Sequence, residues 1–141
     1  MEDFMDVVRV IDSCKLNGDP VRLYNVARLN RIGFYFLYKL NKCGYDVPKR
    51  LKHSFNIGFE RYKSIMEEFV KITEVFRRCG VNFTIFKSLR PYITTTVDID
   101  VIVFDGYWRA VCCLLDRNYK ILGYGSESIT FSLSLIHISE P

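Results

Sequence analysis

An α+β fold is predicted for this 141-residue chain by three observations. Apolar residues recur at helical spacing from Phe4 to Phe76, the period shortens to two at Val81, and a β-branched run, Val97-Asp98-Ile99-Asp100-Val101-Ile102-Val103, follows across a loop. Taken in order, Phe4, Val7, Val8 and Ile11 mark a helix over 3–15 that Asn17-Gly18 stops. Asp19-Pro20 reads as an N-cap with proline at the first helical position. Leu23, Val26, Ala27, Leu29, Phe34, Phe36, Leu37 and Leu40 carry the helical pattern on to Gly44, with a bend at 30–33. Val47-Pro48 opens a further helix that Gly80 ends. Its stripe of Tyr62, Ile65, Met66, Phe69, Ile72, Val75 and Phe76 has the spacing of packing surface rather than of a cofactor site. Strands are predicted over Asn82–Phe86 and 97–104, joined by a loop over 87–96. Asp105 is placed to N-cap a helix over 106–117, with Trp108, Val111, Cys112, Leu114 and Leu115 turned inward. Short strands over 119–122 and 128–132 flank Gly123-Tyr124-Gly125. The predicted organisation is a helical region over 1–80 packed on a sheet core over 81–132.

Composition narrows the class. A hydrophobic content of 49% supports a buried core. The five cysteines form an odd set without Cys-x-x-Cys spacing, and only two histidines accompany them, so neither a zinc site nor a disulfide framework is expected. A reduced, cytoplasmic setting without membrane association is the corresponding expectation, since no signal peptide or long apolar run is present. Charge is unevenly distributed. Residues 1–96 hold 17 Lys/Arg against 10 Asp/Glu, whereas residues 97–141 hold 3 against 6. A basic body beside an acidic strand suits a polyanionic partner, although most of these cations also fit the wet faces of helices.

Asp98 and Asp100 carry the chemistry. Side chains alternate along a strand, so both carboxylates project from one face while Val97, Ile99, Val101 and Val103 line the other. Two adjacent carboxylates repel and are costly to desolvate, and a divalent cation relieves both effects. Few hard oxygen donors with open positions are what Mg²⁺ takes where phosphates are handled. The plainer alternative is an edge strand whose outer face is solvated.

The last nine residues, Leu133 to Pro141, resemble the read-through translation of a sequencing adapter. They are set aside from fold reasoning as non-native, with the natural chain expected to be truncated near Ser132 and His53 left as its histidine.

Phe86-Lys87-Ser88, a nine-residue spacer and Asp98-Ile99-Asp100-Val101 together resemble the signature of the polymerase-β-like nucleotidyltransferase superfamily. The likeness spans roughly residues 65–132 and is greatest to a poorly characterised prokaryotic and archaeal group. In that group a helical region precedes the core and Lys replaces the usual motif glycine. The resemblance implies a truncated nucleotidyltransferase-like mixed sheet, with Asp98 and Asp100 as catalytic ligands of one or two Mg²⁺ ions. It implies that Lys87, Ser88 and Arg90 contact the phosphates of a nucleoside triphosphate. It further implies transfer of a nucleoside monophosphate to a hydroxyl acceptor on RNA, a small molecule or a protein. The superfamily's third carboxylate has no convincing counterpart, since Asp105 and Asp116 sit at helix ends and Glu127 in a turn; it is expected beyond Ser132, leaving this fragment close to inactive. Two alternatives are a degenerate module that binds RNA or a protein partner in the manner of an antitoxin, and a metal-dependent glycosyltransferase.

Overall fold

The computed structural model of the chain describes residues 1–86, 92–95, 98–126, 128–131 and 136–139, with the side chains of Ile136 and Ile138 alone in the last segment. Among these residues the order is α1 (Glu2–Ser13), α2 (Pro20–Leu29), α3 (Gly33–Lys42), α4 (Lys49–Arg78), β1 (Asn82–Phe86), β2 (Ile99–Asp105), α5 (Tyr107–Leu115), β3 (Ile121–Tyr124), β4 (Ser128–Phe131) and β5 (Ile136–Ser139). The class is α+β. The chain forms two compact units, Met1–Tyr62 with Pro91–Thr95, and Lys63–Arg90 with Thr96–Pro141. The division falls within α4 rather than at its end, because the second half of that helix shares a core with the sheet.

In the helical unit, Val7, Val10, Leu23, Ala27, Phe36, Leu37, Leu40, Val47 and Leu51 form one buried cluster. Asp19 caps α2 as its sequence position requires, its carboxylate accepting from the Val21 and Arg22 amides at 3.1 and 3.3 Å. The bend expected at 30–33 is a full break. The Ile32 amide donates to the Ala27 carbonyl at 2.9 Å and the Arg31 amide to the Arg28 carbonyl at 3.0 Å. The same two-bond closure ends α3 at Gly44 and Tyr45. Gly44 adopts the left-handed conformation at no steric penalty, whereas Arg31 holds φ 60°. An arginine where glycine fits costs about 1 kcal/mol.

The second unit is a five-stranded mixed sheet in the order β1-β2-β5-β4-β3, with β2 and β5 parallel and the other neighbours antiparallel. Ile65, Phe69, Ile72 and Phe76 of α4 join Ala110, Val111 and Leu114 of α5 in burying Ile99, Val101, Val103, Ile129, Phe131, Ile136 and Ile138. The helices therefore cover one face of the sheet.

Four expectations change. Residues 136–139, within the stretch left out of the fold on sequence grounds, form β5, which lies between β2 and β4 with Ile136 and Ile138 fully buried; this bears on their place in the sheet and not on their origin. Their apolar-polar alternation fits a half-covered sheet. Asp105 ends β2 instead of capping α5; the N-cap is Gly106, at φ 77°. Trp108, Cys112 and Leu115, expected to face inward, are exposed, Trp108 at 69% and Leu115 at 43%, because the buried stripe of α5 runs through Ala110, Val111 and Leu114 and all three lie about 100° or more around the helix from it. Finally, four of the five cysteines form disulfides, Cys14–Cys43 in the helical unit and Cys79–Cys113 in the sheet unit, against the expectation of none. Spacing in sequence carried no trace of either pair, since each joins a helix end to a distant helix.

Each bond closes a loop within one unit. Cys14 and Cys43 cap α1 and α3, where the Tyr45 hydroxyl also donates to the Cys14 carbonyl at 3.0 Å. Cys79–Cys113 fastens the end of α4 to α5, beside a 3.1 Å bond from Arg109 Nη1 to the Gly80 carbonyl. With the cysteines 34 positions apart in the sequence, the double substitution Cys79→Ser, Cys113→Ser is expected to cost about 3–4 kcal/mol. Urea unfolding with and without reductant checks this, and reductant should bring the native chain toward the variant.

Among the described residues, a carboxylate and a phenol, Glu68 and Tyr119, meet inside the sheet unit. Glu68 is 7% exposed, accepts a hydrogen bond from the Tyr119 hydroxyl, and has Lys71 Nζ 3.8 Å away. Burial, followed by the hydrogen bond and charge of Glu68, pushes the Tyr119 phenol well above its usual range. The folded state thus keeps a proton that the unfolded chain releases near pH ~10, so this contribution is complete below that pH and is lost as pH rises above it. Tyr119→Phe is expected to lower stability near neutrality by about 1–3 kcal/mol, since Glu68 loses its buried donor. It should also flatten the alkaline fall. Urea midpoints measured across the alkaline range test both signs.

Candidate metal and phosphate site

β2 forms as a strand because its β-branched residues suit a pleated surface buried on one side. Ile99, Val101 and Val103 are at most 1% exposed, while Asp100 and Ile102 lie half-buried on the opposite face. Asp98, immediately before the strand, is also half-buried, and its Oδ1 is withdrawn from solvent. The alternation read from the sequence holds for every described residue of the run; Val97 lies outside the described residues.

The antiparallel register of β1 and β2 fixes the neighbourhood. Phe86 is the partner of Asp100, Ile85 of Val101 and Thr84 of Ile102. Strand pairing thus sets Phe86, the residue that precedes Lys87 in the sequence, beside Asp100. Lys87, Ser88 and Arg90 themselves lie outside the described residues. On the other side of β2, the parallel register pairs Asp100 with position 137 of β5, which in turn pairs with Thr130 of β4.

The donor set can be compared with the ion the sequence implies. Two carboxylates one residue apart offer hard oxygen donors but few of them, and Mg²⁺ keeps several waters or substrate oxygens when so bound. The pair fits such an open site and does not fit a closed cage. Among the described residues no group of three His, Cys, Asp or Glu side chains gathers around one point. Asp105, the next acid along the chain, ends β2 five residues beyond Asp100 and pairs with Asn82.

Sequence reasoning missed two polar features of the fold. One is the Glu68–Tyr119 pair, whose members are 51 residues apart and each unremarkable alone. The other is a concavity in the helical unit that includes Arg28, Arg31 and Arg61. Its one visible signal was the pair of glycines in helical surroundings, Gly33 and Gly58. Among the described residues no helix is long and apolar enough to cross a membrane. Comparison of the chain with family models, with curated proteins and with solved structures finds no match in any of the three.

Proposed function

We propose that this chain carries the metal- and phosphate-handling part of a nucleotidyltransferase acting in the cytoplasm on a nucleoside triphosphate and a hydroxyl acceptor. The observation that supports it is the placement of Asp100 on the face of β2 opposite the buried Ile99, Val101 and Val103, with Asp98 half-buried just before the strand and Asp100 in register with Phe86, the residue that precedes Lys87 in the sequence. Asp98 and Asp100 are the residues that would hold Mg²⁺, which supplies charge neutralisation at the phosphates when bound. Lys87 and Arg90 would orient the polyphosphate and Ser88 would donate a hydrogen bond to it. Positioning and electrostatics do most of the work in such transfers, so the protein needs little covalent chemistry. The two disulfides remove the cysteine-based argument for a reduced compartment, so the cytoplasmic part of the proposal rests on the nucleotide chemistry alone.

A second reading draws on the absence of a third acid beside Asp100 among the described residues. It is a non-catalytic module of the same fold that retains RNA or a protein partner. The glycosyltransferase alternative is less favoured, because residues 1–81 form α1 to α4 and contain no nucleotide-binding βαβ unit. Incubating the chain with Mg²⁺, α-phosphate-labelled nucleoside triphosphates and pooled RNA or protein acceptors tests the proposal. Label transferred to an acceptor, and abolished by Asp98→Asn with Asp100→Asn, supports the transferase. Retention of RNA without labelling supports the module, and labelling that survives both substitutions refutes the metal assignment.

A further inference from the structure

We infer that the helical unit holds a second, metal-independent site, which takes a nucleoside phosphate. The concavity has a volume of about 450 Å³, within the range of small-molecule sites, and every residue on its wall belongs to this one unit. Its charged lining is entirely cationic, consisting of Arg28 at the end of α2, Arg31 in the α2–α3 break and Arg61 on α4. Among the described residues none of the three forms an ion pair, whereas Arg9, Arg22 and Arg78 each meet a carboxylate. Guanidinium groups gathered without a carboxylate repel one another, and a phosphate, which accepts their paired N–H groups, is the ligand that reverses this. Thr94 and Thr95 add hydroxyls on the same wall.

The lining also carries three aromatic side chains, Tyr24, Phe34 and Tyr35, beside aliphatic ones, which favours a nucleoside over a bare phosphate. Phe34 rests against Gly58, where an added Cβ would meet its ring at 2.5 Å, so a glycine is kept inside α4 despite its poor helix propensity. Tyr24 approaches Gly33 in the same way, with its Cε2 at 3.1 Å from the position of a Cβ. Two glycines thus let two flat rings close on the concavity that the arginines border. Flat apolar faces beside a cluster of guanidiniums suit a base and its phosphates together. The same chemistry is presented by a free nucleotide or by the end of an RNA strand.

The site stands apart from the Asp98–Asp100 proposal, and calorimetric titration of the whole chain with ADP in the presence of EDTA tests it alone. Saturable one-site binding is expected, weakened about tenfold or more by Arg61→Gln and by Arg31→Gly, and unchanged by Asp98→Asn with Asp100→Asn. Arg31→Gly is informative because glycine suits the left-handed backbone at that position, so the variant should melt no lower than the native chain while binding less. Pyrophosphate should bind more weakly than ADP. A short single-stranded RNA that binds more tightly than ADP assigns the ligand to a strand end, and equal or weaker binding assigns it to a free nucleotide. Absence of saturable binding, unaltered affinity in both arginine variants, or pyrophosphate binding as tightly as ADP overturns the inference.

Discussion

Ile138→Asp is expected to unfold the sheet unit while the helical unit keeps its own core. Ile138 is fully buried in the middle strand of the sheet, paired with Val101 of β2 on one side and Ile129 of β4 on the other. A carboxylate there would be set in the buried apolar cluster of Ile99, Val101, Ile129 and Phe131, which does nothing to compensate its desolvation and places the cost above about 4 kcal/mol. That is comparable with the whole stability of a small domain. The damage also spreads through topology. Among the described strands, β5 is the one hydrogen-bonded to both the β1–β2 pair and the β3–β4 pair, so loosening it splits the sheet into two two-stranded ribbons, a form that is marginal in water. The buried cluster around Phe36 and Leu40 and the Cys14–Cys43 bond lie wholly in the other unit. Hydrogen exchange read by mass spectrometry should therefore show protection lost over β1 to β5 and α5 and retained over α1 to α3. Protection kept across β2 and β4 in the variant would contradict the assigned strand order.

The elements legible in the sequence were those whose signals are local. Asp19-Pro20 announced the start of α2, Gly80 the end of α4, and the Ile99-Asp100-Val101-Ile102-Val103 alternation the two faces of β2, because caps and strand periodicity act over a few residues. What escaped depends on contacts made at a distance. Cys79 and Cys113 pair because α5 returns along the end of α4, and Glu68 is tolerated in the core because Tyr119 arrives from beyond α5. Neither event leaves a mark within a short window. Trp108 shows the converse error, since an amphipathic pattern fixes the spacing of a stripe but a stripe that is wide and aromatic leaves its centre open to a shift of one residue. β5 is hidden in the sequence because the resemblance of residues 133–141 to adapter sequence concerns their origin, whereas strand pairing responds to alternation and to the edges that β2 and β4 offer. For the candidate site, the sequence supplied the two acids and their shared face; the register that brings Phe86 beside Asp100 required the fold.

Mg²⁺ is expected to raise the melting temperature of the native chain and to leave that of the Asp98→Asn, Asp100→Asn variant unmoved. Asparagine keeps the size of each side chain and removes the charge a hard cation needs. At a free concentration 100 times its dissociation constant, an ion bound only by the folded state stabilises it by about 2.7 kcal/mol. For a chain of this length that is a shift on the order of 5–10 °C. Asp105→Asn is the matched control, because it removes one acid from the far end of the same strand, where Asp105 is exposed and pairs with Asn82. It should leave the Mg²⁺ effect intact if the two carboxylates act as a site rather than as part of the general acidity of residues 97–141. The parallel register supplies the complementary gain. A carboxylate introduced by His137→Asp would stand on β5 in register with Asp100 and bring a third acid to the pair. Without metal the added like charge should lower the melting temperature, and with Mg²⁺ the larger donor set should bind more tightly, by about tenfold or more. Opposite signs from one substitution, depending only on the ion, are what a shared cation requires. A pair that merely faces bulk water would show a small effect of one sign in both conditions.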